Sequence, residues 1–404
     1  MKILEIGTGY TSIPAQMGAA TEIVVEELTR SMLNLKQNVS IFDIKDKNRI
    51  ASNLPIQEVY MPQFFSSTDT KLGIVHKLKR VLYSISLTFK LKKFIRKEKE
   101  KIVLHFHNQY NLYFFLKFTS KKFREKTQIV YTVHSYIWQG EWENIHKTVH
   151  KKYFQEIFCI KKADKVFVLN YKTREHFTKH LKINAENIFL LPNGVNTNIY
   201  YPKTSEKKLE LKKKMGLENK IVFFQAGSVC ERKNQLTALQ LLLPFLKKHS
   251  SFVYLYAGGI ISSEYHKQID KFAIENQITK QVIYAGELKP GEKLNNYYNV
   301  ASTFIFPSVL EGFSLVILEA LSAGLPVMVD ANNGLKLPDG CLCYNNSEHF
   351  LSIVNENILN ETNRETQIKK GLNVICEQYS WDTIAQQYIN IFFNNILCND
   401  KTLK

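Results

Sequence analysis

Short β-branched and aromatic runs recur along this chain with a helix-length segment between one and the next, and few architectures accept that rhythm. In the first half the runs are ILEI, VSIFDI, IVLHFH, IVYTVH, KVFVLN and IFLLP; in the second they are IVFFQAG, FVYLYAGG, VIYAGE, TFIFPS and LPVMVD. Such alternation argues for parallel sheets wrapped by crossover helices, so each half is predicted as a Rossmann-like α/β unit. At 404 residues the chain is too long for one ordinary core and suits two domains of roughly 200 residues each. The boundary is expected near residue 202, where Tyr201-Pro202-Lys203 leads into a stretch dense in Lys207, Lys208, Lys212, Lys213 and Lys214. That gives domains over 1–202 and 203–380. Helical apolar spacing through Trp381, Ile384, Tyr388, Ile391 and Phe392 adds a final amphipathic helix at about 381–398.

Composition excludes several classes. A 45% hydrophobic, 12% aromatic, 23% charged chain is globular rather than disordered. The opening MKILEIGTGYTSIP reads as a first strand, since it lacks the apolar segment and cleavage site of a signal peptide. No run reaches the 18 or so apolar residues of a membrane span; LQLLLPFL is cut by Pro244 and followed by Lys247 and Lys248. The chain is therefore expected to be cytoplasmic, soluble or peripheral on a membrane. Its six cysteines (Cys159, Cys230, Cys341, Cys343, Cys376, Cys398) show no CxxC spacing and read as reduced thiols.

A formal charge of +17 calls for a polyanionic partner. Between Lys71 and Lys101 the basic residues Lys77, Lys79, Arg80, Lys90, Lys92, Lys93, Arg96 and Lys97 interleave with Leu78, Leu82, Leu87, Phe89, Leu91 and Phe94. The pattern suits a basic amphipathic helix on an anionic membrane surface, or an ordinary solvated helix face. No nucleic-acid module accompanies the charge, so no nucleic-acid partner is expected.

The most informative stretch runs from Phe306 to Val327. A buried strand leads into a loop carrying Glu311 and Gly312, and a helix opens near Ser314, whose hydroxyl is placed to cap it. That helix is almost wholly apolar except for Glu319. A buried charge without a partner costs several kcal/mol, so Glu319 has to meet a cation, an array of donors or a polar ligand such as a ribose diol. The backbone N–H groups of Gly312, Phe313, Ser314 and Leu315 form a seat for a diphosphate, and Glu311 lies beside whatever that diphosphate carries.

The string Glu311-Gly-Phe-Ser-Leu-Val-Ile-Leu-Glu319, after Pro307-Ser308 and before Gly324-Leu-Pro-Val, resembles the signature of the retaining family 4 glycosyltransferases. The resemblance implies a GT-B fold, with two Rossmann-like domains facing a central cleft and a C-terminal helix that crosses back to the first. It implies that Glu319 holds the donor ribose, that Glu311 contacts the sugar, and that the loop amides meet the diphosphate. Gly227-Ser-Val-Cys-Glu-Arg232-Lys233 resembles the family's basic pair on the donor phosphates, with Ser228 where many members carry Arg. Pro14-Ala-Gln-Met-Gly18 resembles its glycine loop, with Ala19 in place of a second Gly, and Tyr131-Thr-Val-His134 its strand ending in a His beside the donor sugar. Leu191-Pro-Asn193-Gly194-Val195-Asn196 resembles a turn that carries Asp in the family at the position of Asn196. His105-Phe-His107 places two imidazoles on one strand face, a spacing compatible with metal. No third ligand is evident in the neighbouring sequence, so a structural or acceptor-side role is expected.

By this resemblance the chain transfers a sugar from a nucleotide-diphosphate donor, UDP- or GDP-linked, to a glycan or lipid-linked acceptor, with retention of configuration. No DxD occurs, and no metal or other cofactor is expected. The basic first half suggests a lipid-linked or phosphate-bearing acceptor, so the expectation is a cytoplasmic enzyme, free or peripheral on the inner face of the cytoplasmic membrane. Three rivals stand beside it. A GT-B subunit that binds sugar-nucleotide or lipid without turnover is disfavoured by the joint presence of Glu311, Glu319 and Lys233. Leu4-Glu5-Ile6-Gly7-Thr8-Gly9 resembles the first motif of S-adenosylmethionine methyltransferases, and Gly7-x-Gly9-x-x-Ser12 half-matches a dinucleotide fingerprint whose acid would be Asp43.

Overall fold

The computed structural model of this protein describes residues 1–15, 20–61, 74–309, 311, 313–333 and 335–393, with backbone alone over 74–77. Gly18 and Gly312 lie outside the described residues. Two compact units share the chain: Met1–Gly194 with Trp381–Lys404, and Val195–Ser380.

The first unit has strands β1 (Lys2–Ile6), β2 (Val39–Ile44), β3 (Ile56–Val59), β4 (Ile102–Phe106), β5 (Thr127–Val133), β6 (Lys165–Val168) and β7 (Ile188–Leu190). Its helices are α1 (Ala20–Asn34), α2 (Ile74–Lys97), α3 (Gln109–Lys117), α4 (Trp142–Lys152), α5 (Phe154–Lys162) and α6 (Tyr171–Lys179). All pairs in its sheet are parallel, in the order β3-β2-β1-β4-β5-β6-β7. Strand order therefore reverses between β1 and β4, the point at which sheets of this kind bind ligands beyond the carboxyl ends of their strands. Gly9, with φ +79°, leaves β1 there; a Cβ would stand 2.2 Å from the Tyr83 ring, so the turn takes no larger residue.

The second unit has β8 (Ile221–Ala226), β9 (Phe252–Ala257), β10 (Val282–Tyr284), β11 (Thr303–Phe306), β12 (Val327–Asp330) and β13 (Cys341–Tyr344). Around them lie α7 (Ser205–Lys214), α8 (Gln235–Lys248), α9 (Ser263–Glu275), α10 (Glu292–Val300), α11 (Leu315–Ser322), α12 (Ser347–Ile353) and α13 (Glu361–Val374). Its parallel sheet runs β10-β9-β8-β11-β12-β13, so its switch point lies between β8 and β11. A last helix, α14 (Trp381–Phe393), packs on α1 of the first unit.

The chain divides between Gly194 and Val195, ahead of the boundary read at residue 202. Val195 bonds through its N–H to the Tyr379 carbonyl at 2.8 Å and bridges to Ser380, and Tyr200 is buried in the second unit's core, so the turn already belongs to that unit. Strands β3 and β13 were not among the apolar runs. Both lie at sheet edges, where Gln57, Glu58 and Cys343 face solvent, and an edge strand has no need of a continuous apolar sequence.

Part of the apolar spacing of α2 is taken up inside the fold. Its Tyr83, Leu87, Leu91 and Ile95 are buried in the first unit's own core, where the helix packs beside α3 and β3. That part of the spacing is an inward-facing stripe. Outside remain Leu78 and Phe89 with Lys93, Arg96 and Lys97. No described helix is long and apolar enough to cross a membrane. The described cysteines are free thiols, and Cys398 lies outside the described residues.

Candidate active site

At the second unit's switch point, two loops are tied together by one backbone and two side-chain hydrogen bonds. After β8 the chain turns at Gly227, makes a tight helical turn over Glu231–Lys233, and passes through Asn234 in the left-handed region (φ 60°) into α8. After β11 it runs through Pro307-Ser308-Val309 to Glu311. The Arg232 carbonyl accepts from both the Ser308 hydroxyl and the Val309 N–H at 3.1 Å, and the Asn234 amide donates to the Pro307 carbonyl at 3.2 Å. Arg232 and Lys233 of the first loop and Glu311 of the second are thereby brought together.

Three donors converge on one carboxylate oxygen. Glu311 Oε1 receives Arg232 Nη1 at 2.5 Å, Lys233 Nζ at 2.6 Å and the Ser308 hydroxyl at 2.5 Å. Glu311 is 7% exposed, and two cations meet its one carboxylate. An anion arriving here meets preorganised donors in a partly dry setting, where their interaction is stronger than in water.

Glu319 sits in α11, whose other residues are apolar or small. Its Oε2 accepts from the Tyr298 hydroxyl of α10 at 2.8 Å, and the Tyr200 hydroxyl also bonds to it. No described cation reaches it, so the internal salt bridge that the spacing allows is not formed among the described residues. Burial pushes its carboxyl up to about 7, and the two tyrosines offset only part of that cost. Ser314 departs from expectation. It stands at the N-cap position, yet its hydroxyl makes no capping bond and is buried without a described partner. The first-turn N–H groups are thus not covered by that side chain. Phe313 and Leu315 are half-buried beside them, with Phe313 against the core of the unit.

In the first unit, the register Glu5↔His105↔Val130 aligns the ends of β1, β4 and β5. His105 Nδ1 lies 3.0 Å from Glu5 Oε1 and its Nε2 2.7 Å from Thr132 Oγ1. His107 Nε2 lies 2.8 Å from Glu5 Oε2, and its Nδ1 3.0 Å from Nε2 of His134, the residue just past β5. Glu5, His105 and His107 are buried, whereas His134 is partly exposed. Burial works to raise the Glu5 carboxyl, but the charge and hydrogen bonds of His105 and the bond from His107 outweigh it and bring it to about 2. Burial lowers His107 to about 4 and His134 well below its usual range, so both are neutral at pH 7.

Glu5 is the third group that the sequence around His105-Phe-His107 did not supply. Its signal was there to read: a carboxylate inside the apolar run ILEI requires a buried partner. The three donors lie close enough to meet one ion. Tetrahedral zinc at about 2.1 Å, however, holds its ligand atoms about 3.4 Å apart, and separations of 2.8 and 3.0 Å suit shared protons better. The acid that a dinucleotide fold would need is already engaged: Asp43 pairs with Arg49 at 2.8 Å and accepts from the Ile13 N–H at 2.8 Å.

Two parallel-sheet Rossmann-like units, each with one reversal of strand order, define a protein of the GT-B class. Over 97% of this chain and 98% of theirs, the same fold is found in sucrose-phosphate synthase from Thermosynechococcus elongatus (TM-score 0.75, 17% identity). It is found again in Anabaena HepE in complex with UDP and glucose (TM-score 0.71, 15% identity, 97% and 99% coverage). The chain belongs to the family 4 glycosyltransferases: residues 21–199 match the profile Glycosyltransferase Family 4, and 207–337 match Glycosyl transferases group 1. Among relatives, it is 27% identical to UDP-Gal:alpha-D-GlcNAc-diphosphoundecaprenol alpha-1,3-galactosyltransferase of Escherichia coli, over 66% of this chain and 70% of that one. It is 26% identical to lipopolysaccharide 1,2-N-acetylglucosaminetransferase of Salmonella typhimurium, over 51% of this chain and 56% of the relative.

Proposed function

We propose that this protein transfers a sugar from a nucleoside-diphosphate sugar, held by the second unit, to a lipid-linked or polysaccharide-precursor acceptor held by the first. The observation that carries the reading is Glu319, a buried carboxylate met only by tyrosine hydroxyls among the described residues, one helix away from the basic cluster at the switch point. Ribose hydroxyls would donate to it, while the first turn of α11 and the Arg232–Lys233 pair take the diphosphate. Charge that grows on the departing diphosphate is then met by cations already in place, which costs no reorganisation during the reaction. Glu311, held between those cations, lies beside the sugar. Metal-independent transfer with retention of configuration completes the reading, and a product of inverted configuration would refute that part.

The Escherichia coli relative is named for a UDP-sugar donor and a diphospho-lipid acceptor, which favours UDP over GDP and a lipid-linked acceptor here. A net charge of +17, with Phe89 and Phe118 exposed near Lys92, Lys93 and Arg96, supports work at the anionic inner face of the cytoplasmic membrane. A thermal-shift panel of UDP, GDP, ADP and CMP tests the donor side without any acceptor. Stabilisation by UDP alone is expected, following RT ln(1 + [L]/Kd). Indifference to all four nucleotides would overturn the reading.

A further inference from the structure

We infer that Glu5 and His107 are positioning residues that fix His134 as the tautomer protonated at Nε2, so that His134 presents an unprotonated Nδ1 and accepts a hydrogen bond from a sugar hydroxyl. The step to the hydroxyl rests on the proposed transferase reading; the proton order does not. The chain of contacts settles that order from its buried end. Glu5 is a carboxylate and only accepts, so His107 donates to it through Nε2. The 3.0 Å contact between His107 Nδ1 and His134 Nε2 holds one proton. A neutral His107 has spent its only N–H on Glu5, and the proton in that second contact therefore belongs to His134. Neutral His134 then carries a lone pair on Nδ1, to which no described group is bonded.

Burial supports the neutral state of both rings, since an imidazolium at either place would be poorly solvated. The outer face of His134 is at the carboxyl end of the sheet, where ligands of such sheets bind, and it is the partly exposed member of the chain. An acceptor nitrogen fixed in this way selects a hydroxyl at the facing position of the sugar. A deoxy or O-methylated sugar at that position leaves the nitrogen without a partner. Glu5 holds a second ring, His105, through its other oxygen at 3.0 Å, and His105 is tied through Thr132 Oγ1 to the Tyr388 hydroxyl of α14 at 3.4 Å. The carboxylate is thus anchored and not free to swing away from His107.

Side-chain 15N NMR of histidine on the wild-type protein at pH 7 reads the tautomer directly and needs neither substrate nor variant. The expected result is His134 neutral, with its proton on Nε2. A proton on Nδ1, or an imidazolium, overturns the proposal. In Glu5→Gln the anchor can itself donate, so His107 and His134 should populate both tautomers and transfer should fall by roughly 10- to 100-fold, with UDP affinity unchanged. Wild-type tautomer and wild-type turnover in that variant would remove the positioning role. His134→Ala separates the two layers. If it transfers at the wild-type rate, the hydroxyl contact is wrong whatever the tautomer. If the wild-type protein transfers no sugar at all while the Nε2–H form is seen, it is the transferase reading that fails.

Discussion

Glu319 is stabilised in its neutral form, and stability should record it. A carboxyl whose folded pKa rises from 4.5 to about 7 contributes stability fully present below pH 4.5 and lost as the pH climbs through 7, on the order of 3 kcal/mol by linkage. Glu22, buried against Thr8 and likewise near 7, and Asp43, near 6, act in the same direction. The melting temperature of the ligand-free protein is therefore expected to fall between pH 5 and 8. In Glu319→Gln that fall should be shallower, while stabilisation by UDP disappears; a variant whose pH profile overlays the wild type would sink the assignment. Glu5 works in the opposite sense, since its pKa is near 2 and its contribution fades only in strong acid. At the neighbouring site, Glu311→Ala removes the carboxylate and leaves Arg232 and Lys233 to the diphosphate. Transfer should drop by about 100- to 1000-fold with nucleotide affinity kept or raised, because a negative charge beside the phosphates has gone. Weaker nucleotide binding with intact turnover would contradict this.

Among the elements, α2 and α14 make the sharpest predictions. If the apolar stripe of α2 is core, Leu91→Ala should cost about 2–5 kcal/mol by urea unfolding, and Phe89→Ser, which is exposed, less than about 0.5. Equal costs at the two positions would mean that the helix is wrongly seated. Helix α14 fastens to the first unit through Tyr388 and Phe392, whose rings lie 4.5 and 6.1 Å from Phe167, and through the Ile391 carbonyl, which accepts from Lys165. Its start sits over Gly194, where a Cβ would be 2.9 Å from the Trp381 Cα. Phe392→Ala should lower stability by about 3–5 kcal/mol with an unchanged denaturant slope. The helical period of Trp381–Phe392 was plain in the sequence. Its seat against Phe167 and His105 was not, because a periodic face says that something covers it and not what.

For the whole molecule, the charge of +17 predicts binding to vesicles containing anionic lipid that weakens steeply with salt, since the interaction is screened within a Debye length of about 10 Å at 0.1 M. Sedimentation with neutral and anionic vesicles, at low and high salt, reads this, and binding indifferent to lipid charge would remove the support for a membrane partner. The rhythm of apolar runs and helices determined two parallel α/β units, and the local string from Glu311 to Glu319 determined the loop, helix and buried acid of the second, because both depend on residues close in sequence. The Arg232–Lys233–Glu311 cluster and the Glu5–His107–His134 chain were decided only by tertiary structure. Each joins the ends of strands that are neighbours in a sheet and distant along the chain, and strand order and register are set by how the sheets close on their helices, a competition that no single segment encodes.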